Sequence, residues 1–177
     1  DKTLLDRMPD RSLQRKRPRK RLYTLDDINT KSPKMLDIKE KIRRVAVNPS
    51  SVLIVGETGT GKELVAQSIH SHSNRLDGPF LSQNCAAIPS TLLESILFGT
   101  TRGSYTQAED RPGLFELANH GTLFLDELNS MDIALQSKIL KALEDKEIRR
   151  LGAAASTPVD VRVISAVNED PFTCIAE

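Results

Sequence analysis

Cysteine is nearly missing from this sequence: Cys85 and Cys174 are the two that occur in 177 residues. They are too few and too far apart for a disulfide framework or a four-ligand zinc site, and are read as ordinary reduced thiols. Long hydrophobic runs are missing too. No apolar stretch approaches the roughly 18 residues of a spanning helix, and the amino terminus is too charged for a secretory signal peptide. The expected location is therefore a cytosol, with no membrane contact. An excess of one charge is also absent, since 25 Lys and Arg face 24 Asp and Glu for a net charge of +1. What is present is apolar material at 38% and charged residues at 28%, enough for the core of one domain and unlike disordered or fibrous chains. The sequence starts at Asp1 rather than Met and stops at Glu177 directly after an apolar-polar segment, which predicts a piece of a longer protein.

The even charge total hides an asymmetry. Residues 1–21 carry nine basic and three acidic side chains, concentrated in Arg15-Lys16-Arg17-Pro18-Arg19-Lys20-Arg21. A proline inside this run and the lack of a helical apolar stripe read as a solvated linker, so residues 1–22 are assigned to a basic interdomain linker. Binding of nucleic-acid phosphates is the other use of such a run, but it has neither aromatic interleaving nor a reading helix.

From Leu22 onward the pattern becomes globular. Met35, Ile38, Ile42 and Val45 fall at helical spacing between Pro33 and Pro49. Residues 51–55 form a short β-branched run ending at glycine, the pattern of a buried parallel strand. A helix is expected from Gly61, with Leu64, Val65 and Ile69 inside. A second strand is expected over Phe80 to Asn84. Thr91 and Glu94 form a capping-box pattern for a helix with Leu92, Leu93, Ile96 and Leu97 on its apolar face. Residues 99–112 are a polar interruption. Thr122 to Asp126 reads as a third strand, a helix aligning Leu135, Ile139 and Leu143 follows, and Asp160 to Val167 supplies a fourth strand. Strands alternating with helices predict an α/β fold with a mostly parallel sheet and a ligand at the carboxyl ends of its strands.

Gly56-Glu57-Thr58-Gly59-Thr60-Gly61-Lys62-Glu63 sits between the first strand and its helix, where a phosphate loop must lie. Its glycines let successive backbone N–H groups turn inward toward phosphate oxygens, and the following helix presents its positive end. Lys62 would reach the β- and γ-phosphates. The Ser or Thr that normally follows the lysine and binds magnesium is here Glu63. Leu123-Phe124-Leu125-Asp126-Glu127 brings two carboxylates to the end of an apolar strand, the candidate metal site. Asp126 would hold Mg²⁺ and Glu127 would orient and polarise the attacking water. Together the two motifs read as a Mg²⁺-using nucleoside triphosphatase.

Further segments complete a resemblance: Asn84-Cys85-Ala86-Ala87, Leu97-Phe98-Gly99, residues 103–108, Arg111-Pro112-Gly113-Leu114-Phe115-Glu116, Gly121 to Glu127 and Val161 to Asn168. Residues 23–177 resemble the ATPase domain of bacterial sigma-54-dependent transcription activators, a branch of the AAA+ P-loop NTPases. The resemblance implies a three-layer α/β/α sandwich, with the small helical lid domain falling outside the sequence. That family typically has Glu after the loop lysine. It implies Asn168 as the polar sensor of the γ-phosphate and Asn84 as the residue that holds Glu127 aside. From the residues alone, turn formation is the commoner use for both asparagines. The partner loop that touches sigma-54 RNA polymerase has the consensus Gly-Ala-Phe-Thr-Gly-Ala; here it reads Gly103-Ser104-Tyr105-Thr106-Gln107-Ala108, preceded by Thr100-Thr101 in place of a His-Glu pair. Gln107 puts a Cβ where the consensus has glycine, so an AAA+ ATPase acting on another protein, or a nucleotide-controlled binding module without turnover, remains an alternative. The resemblance further implies self-association into a ring whose neighbouring subunits complete the site with arginines, and DNA binding through a domain outside this chain. Without those arginines the isolated piece is expected to be a weak or inactive ATPase.

Overall fold

The computed structural model describes residues 21–103 and 109–169. The basic run of residues 15–20, the partner-loop residues 104–108 and Cys174 lie outside them. Helix α1 (Pro33–Ala46) leads to strand β1 (Val52–Val55), helix α2 (Lys62–Ser71) and strand β2 (Phe80–Asn84). Helix α3 (Ser90–Phe98) then runs into the short strands β3 (Gly99–Thr100) and β4 (Arg111–Pro112), followed by α4 (Leu114–Leu117). Strand β5 (Thr122–Asp126), helix α5 (Ile133–Asp145), the short β6 (Glu147–Ile148) and β7 (Thr157–Pro158), and strand β8 (Arg162–Val167) complete the described order.

The main sheet has the order β1-β8-β5-β2 and is parallel throughout, while β3 with β4 and β6 with β7 form small antiparallel ribbons. Side chains of alternating strand positions divide the core. Leu123, Leu125 and Val163 face α3, α4 and α5; Phe124, Ile164 and Ala166 face α1 and α2. The three-layer α/β/α arrangement is thus present. On β1, Val52 and Ile54 join the α1/α2 core, whereas Leu53 and Val55 are exposed.

The strands over 80–84 and 122–126 match the expected residues, and the first and last are shorter at their amino ends. Helix α3 departs from expectation at its start. Pro89 is its N-cap residue, so Thr91 lies inside the first turn and makes no cap hydrogen bond. Glu94 pairs instead with Lys138 from α5. Leu93 and Leu97 are buried as expected, but Leu92 is exposed, as is Ile38 on α1.

One buried cation ties the amino-terminal edge of the sheet together. The Arg162 guanidinium, at the start of β8, donates to the carbonyls of Val45 (2.7 Å), Ala46 (2.8 Å) and Ser50 (3.2 Å). The first two are the last carbonyls of α1, which have no partners within the helix, and the helix dipole places partial negative charge there. Burial pushes the Arg162 pKa down, with Arg75 adding repulsion. The Val45 carbonyl also accepts from the Asn48 N–H at 3.1 Å, so replacing Arg162 with Met strips the Ala46 and Ser50 carbonyls of the guanidinium and puts an apolar chain over them; loss of about 3 kcal/mol is expected, read as a fall in Tm of about 9 °C.

Cys85 follows β2 and is 2% exposed, its N–H donating to the carbonyl of Asp126 at 2.9 Å. Burial first, then the Asp126 and Glu127 carboxylates, push the thiol up to about 12 from 9.0. The neutral thiol is therefore favoured by folding, so this group leaves stability unchanged below pH ~9 and subtracts from it as pH rises from ~9 toward ~12. In a Cys174→Ser background at pH 8, Cys85 should react with a disulfide reagent about a thousandfold more slowly in the folded than in the unfolded chain.

Candidate functional site

Parallel register brings the candidate residues to one edge. Val55 and Val167 are partners where β1 and β8 end, and the Gly56 N–H donates to the Val167 carbonyl at 3.2 Å. On the other side of β8, β5 ends at Asp126, itself the register partner of Asn84 at the end of β2. The phosphate loop, Asn168, the Asp126-Glu127 pair and Asn84 are thus the carboxyl ends of four adjacent strands.

The loop from Gly56 to Lys62 closes on its own carbonyls. Gly59 and Gly61 have φ of 83° and 85°, the left-handed conformation that glycine adopts without a Cβ penalty. Thr60 donates through its N–H (3.3 Å) and Oγ1 (2.7 Å) to the Glu57 carbonyl. Lys62 Nζ donates to the carbonyls of Gly56 (2.8 Å) and Glu57 (3.0 Å), and its residue is 7% exposed. No carboxylate pairs with it among the described residues. It opens α2, whose first N–H groups have no intrahelical partners and carry the positive end of the dipole. A buried ammonium beside a positive helix end is held by two neutral oxygens alone, a place that a multiply charged anion would stabilise.

Glu63 is turned away from this concentration of donors. Its Oε1 accepts from Gln67 Nε2 at 3.1 Å, and Gln67 Oε1 accepts from the Tyr23 N–H at 2.9 Å. Ser71 Oγ donates to the Tyr23 carbonyl at 3.0 Å, so both backbone groups of Tyr23 are held by α2. Thr58 and Thr60 are exposed residues, the Thr60 hydroxyl being held by the Glu57 carbonyl.

Asp126 Oδ1 accepts from the Glu127 N–H at 2.9 Å. Glu127 has φ 53° and ψ 47°, a left-handed conformation costing a non-glycine residue about 1–2 kcal/mol. That twist ends β5 and begins a 3-10 turn, Leu128–Ser130, closed by Ser130 N (3.0 Å) and Oγ (2.7 Å) donating to the Glu127 carbonyl. Asp126 and Glu127 are part-buried oxygen donors, a set suited to Mg²⁺, which keeps several waters and uses one or two carboxylates plus substrate phosphates. No cluster of three or more potential metal-ligating side chains occurs among the described residues.

Asn84 behaves first as a turn residue: its Oδ1 accepts from Ala86 N (2.9 Å) and Ala87 N (3.3 Å), and it makes no bond to Glu127. Asn168 Oδ1 accepts from Asn129 Nδ2 at 2.7 Å. Asn129 is not distinguished by any sequence pattern, because the pair is separated by 39 residues and joined through the order of the strands. Arg150, by contrast, lies away from these strand ends in a bidentate pair with Glu116, both bonds 2.6 Å.

Strands β3 and β4 form a short neck on either side of residues 104–108, and Gly103 is the last described residue before them. A Cβ on Gly113 would lie 2.4 Å from Gly99 N, and one on Gly99 2.4 Å from the Arg111 carbonyl, so the two chains touch where glycines permit it. Thr100 Oγ1 donates to the Glu109 carbonyl (2.6 Å) and Thr101 Oγ1 to the Leu151 carbonyl (2.9 Å). Of the two threonines that stand in for a His-Glu pair, Thr100 thus bonds across the neck and Thr101 ties it to the segment after β6.

The Sigma-54 interaction domain family matches residues 28–177. The transcriptional activator RocR of Bacillus subtilis (strain 168) is 56% identical over 154 residues, covering 87% of this chain and 33% of RocR. NtrX from Brucella abortus, solved in complex with ADP, superposes with a TM-score of 0.76 at 38% identity, over 84% of this chain and 32% of that one. The P-loop NTPase domain of a sigma-54 transport activator from E. coli shares the fold at a TM-score of 0.54 and 14% identity, with 84% of each chain covered. The chain spans about a third of the length of RocR and NtrX. With the match extending over most of its length and the P-loop architecture in place, the chain belongs to the Sigma-54 interaction domain family.

Proposed function

We propose that this chain binds ATP with Mg²⁺ and, within a longer transcription activator, hydrolyses it to remodel sigma-54 RNA polymerase. The observation that carries the nucleotide reading is Lys62: a buried ammonium at a helix amino terminus with two carbonyl partners and no acid among the described residues. Transferring it from those carbonyls to the β- and γ-phosphates replaces two neutral acceptors by charged ones. NtrX, at 38% identity, has also been solved in complex with ATP, which supports the same ligand here.

In this reading the loop N–H groups from Gly56 to Gly61 cradle the phosphates, and Glu63 stays bonded to Gln67 rather than entering the site. Asp126 would hold Mg²⁺, with Glu127 beside it; the ion, when bound, screens phosphate charge. Glu127 positions a water for attack and takes its proton. Asn168 donates to the γ-phosphate. Asn84, whose Oδ1 is committed to its turn, would reach Glu127 through Nδ2 and hold it aside. Residues 103–108 (Gly103, Ser104, Tyr105, Thr106, Gln107 and Ala108) form the contact with sigma-54, Tyr105 supplying the aromatic.

Residues 1–22 are assigned to a basic interdomain linker and 23–177 to the ATPase α/β subdomain. Assembly into a ring supplies arginines from a neighbouring subunit, DNA is bound through a domain outside this chain, and the site of action is the cytoplasm. The isolated chain is expected to bind nucleotide with little or no turnover.

In the full-length protein, Glu127→Gln should keep ATP affinity within about threefold and lower turnover by at least about 100-fold, while Lys62→Ala should lose nucleotide binding in calorimetry. Normal turnover in Glu127→Gln would remove the assigned role. For the partner, ADP with aluminium fluoride should trap sigma-54 on the native protein, since transition-state mimics favour the engaged state. Trapping by a Gln107→Gly variant alone, with ATP turnover in both, would redirect the search to another protein.

A further inference from the structure

The turn that begins at Glu127 does more than end β5. It extends sideways across the carboxyl edge and reaches the neighbouring strand: Asn129 Nδ2 donates to Asn168 Oδ1 at 2.7 Å. Asn168 directly follows Val167, whose carbonyl holds the first N–H of the phosphate loop. The amide of Asn168 therefore sits between the loop on β1 and the acidic turn on β5.

A primary amide has one acceptor end and one donor end, and rotating it by half a turn exchanges them. With Oδ1 taken by Asn129, the end left free is Nδ2, which can only donate. A γ-phosphate oxygen, bearing negative charge, needs a donor; the flipped amide would set an oxygen against it. We propose that Asn129 is a positioning residue that fixes the Asn168 amide with its nitrogen toward the γ-phosphate. Asn129 is exposed and bonds no other described residue through its side chain, so its contribution is orientation rather than core packing. The same 3-10 turn carries Glu127 two positions earlier and is closed by two bonds from Ser130. One short turn thus sets both the water-orienting carboxylate and the phosphate-sensing amide. This rests on the reading of Asn168 as a phosphate sensor.

The test is the ratio of affinities for a non-hydrolysable ATP analogue and for ADP, measured by calorimetry on the full-length protein, together with ATP turnover. Asn129→Ala should lower the ratio about fivefold, the worth of about one hydrogen bond of 1 kcal/mol, with ADP affinity unchanged. Asn129→Asp should lower it further, because a carboxylate accepts from Asn168 Nδ2 and turns the oxygen outward. Asn129→Gln, which retains the donor, should recover part of the loss. Turnover should follow the order native, Gln, Ala, Asp, and Tm should stay within about 1 °C for this surface position. An equal fall in ATP and ADP affinity, or an Asp variant no worse than Ala, overturns the proposal. Asn168→Ala separates the two layers. If it leaves the ratio unchanged, the sensor reading fails and the proposal with it; if it lowers the ratio while the Asn129 variants do not, only the proposal fails.

Discussion

Two buried cations frame the sheet, and the difference between their surroundings organises the molecule. Arg162 lies at the amino-terminal edge, where three carbonyls and the negative end of α1 surround its guanidinium. Its electrostatic needs are met from within the chain. Lys62 lies at the carboxyl edge, at the positive end of α2, with two carbonyls and no further compensation among the described residues. Anchoring β8 to α1 and to the segment before β1 fixes where these two strands start. Parallel pairing then determines where they stop, beside each other at Val55 and Val167. The incomplete cation is in this way aligned with the acids on β5.

Much of this was legible in the sequence because it is local. A phosphate loop is eight consecutive residues, and the acid pair closes an apolar strand bounded by its own flanking residues. The strands at 80–84 and 122–126 are readable to the residue for the same reason. Thr91 misled because its position relative to a helix start depends on Pro89, which already supplies the N-cap backbone, and because Glu94 found a partner on α5. Leu92 belonged to the apolar pattern and stayed exposed because the core takes up a stripe narrower than the pattern.

What could not be read are bonds between distant segments. Asn129 and Asn168 meet because β8 is inserted between β1 and β5, an order that periodicity does not encode. Gln67 joins Glu63 to Tyr23 because the segment before α1 folds back along α2. The turn reading of Asn84 was chemically sound and describes its Oδ1, while the resemblance speaks to what its other end does.

The glycine contact at the base of β3 and β4 separates two kinds of sequence freedom. At Gly99 and Gly113 a single methyl group would strike backbone, so these positions admit no ordinary variation. The departures from the family consensus in this region, Thr100, Thr101, Ser104, Tyr105 and Gln107, all fall between them in sequence. Side-chain change in this region is thereby bracketed by two points of backbone contact, which hold the base in place whatever residues stand between them.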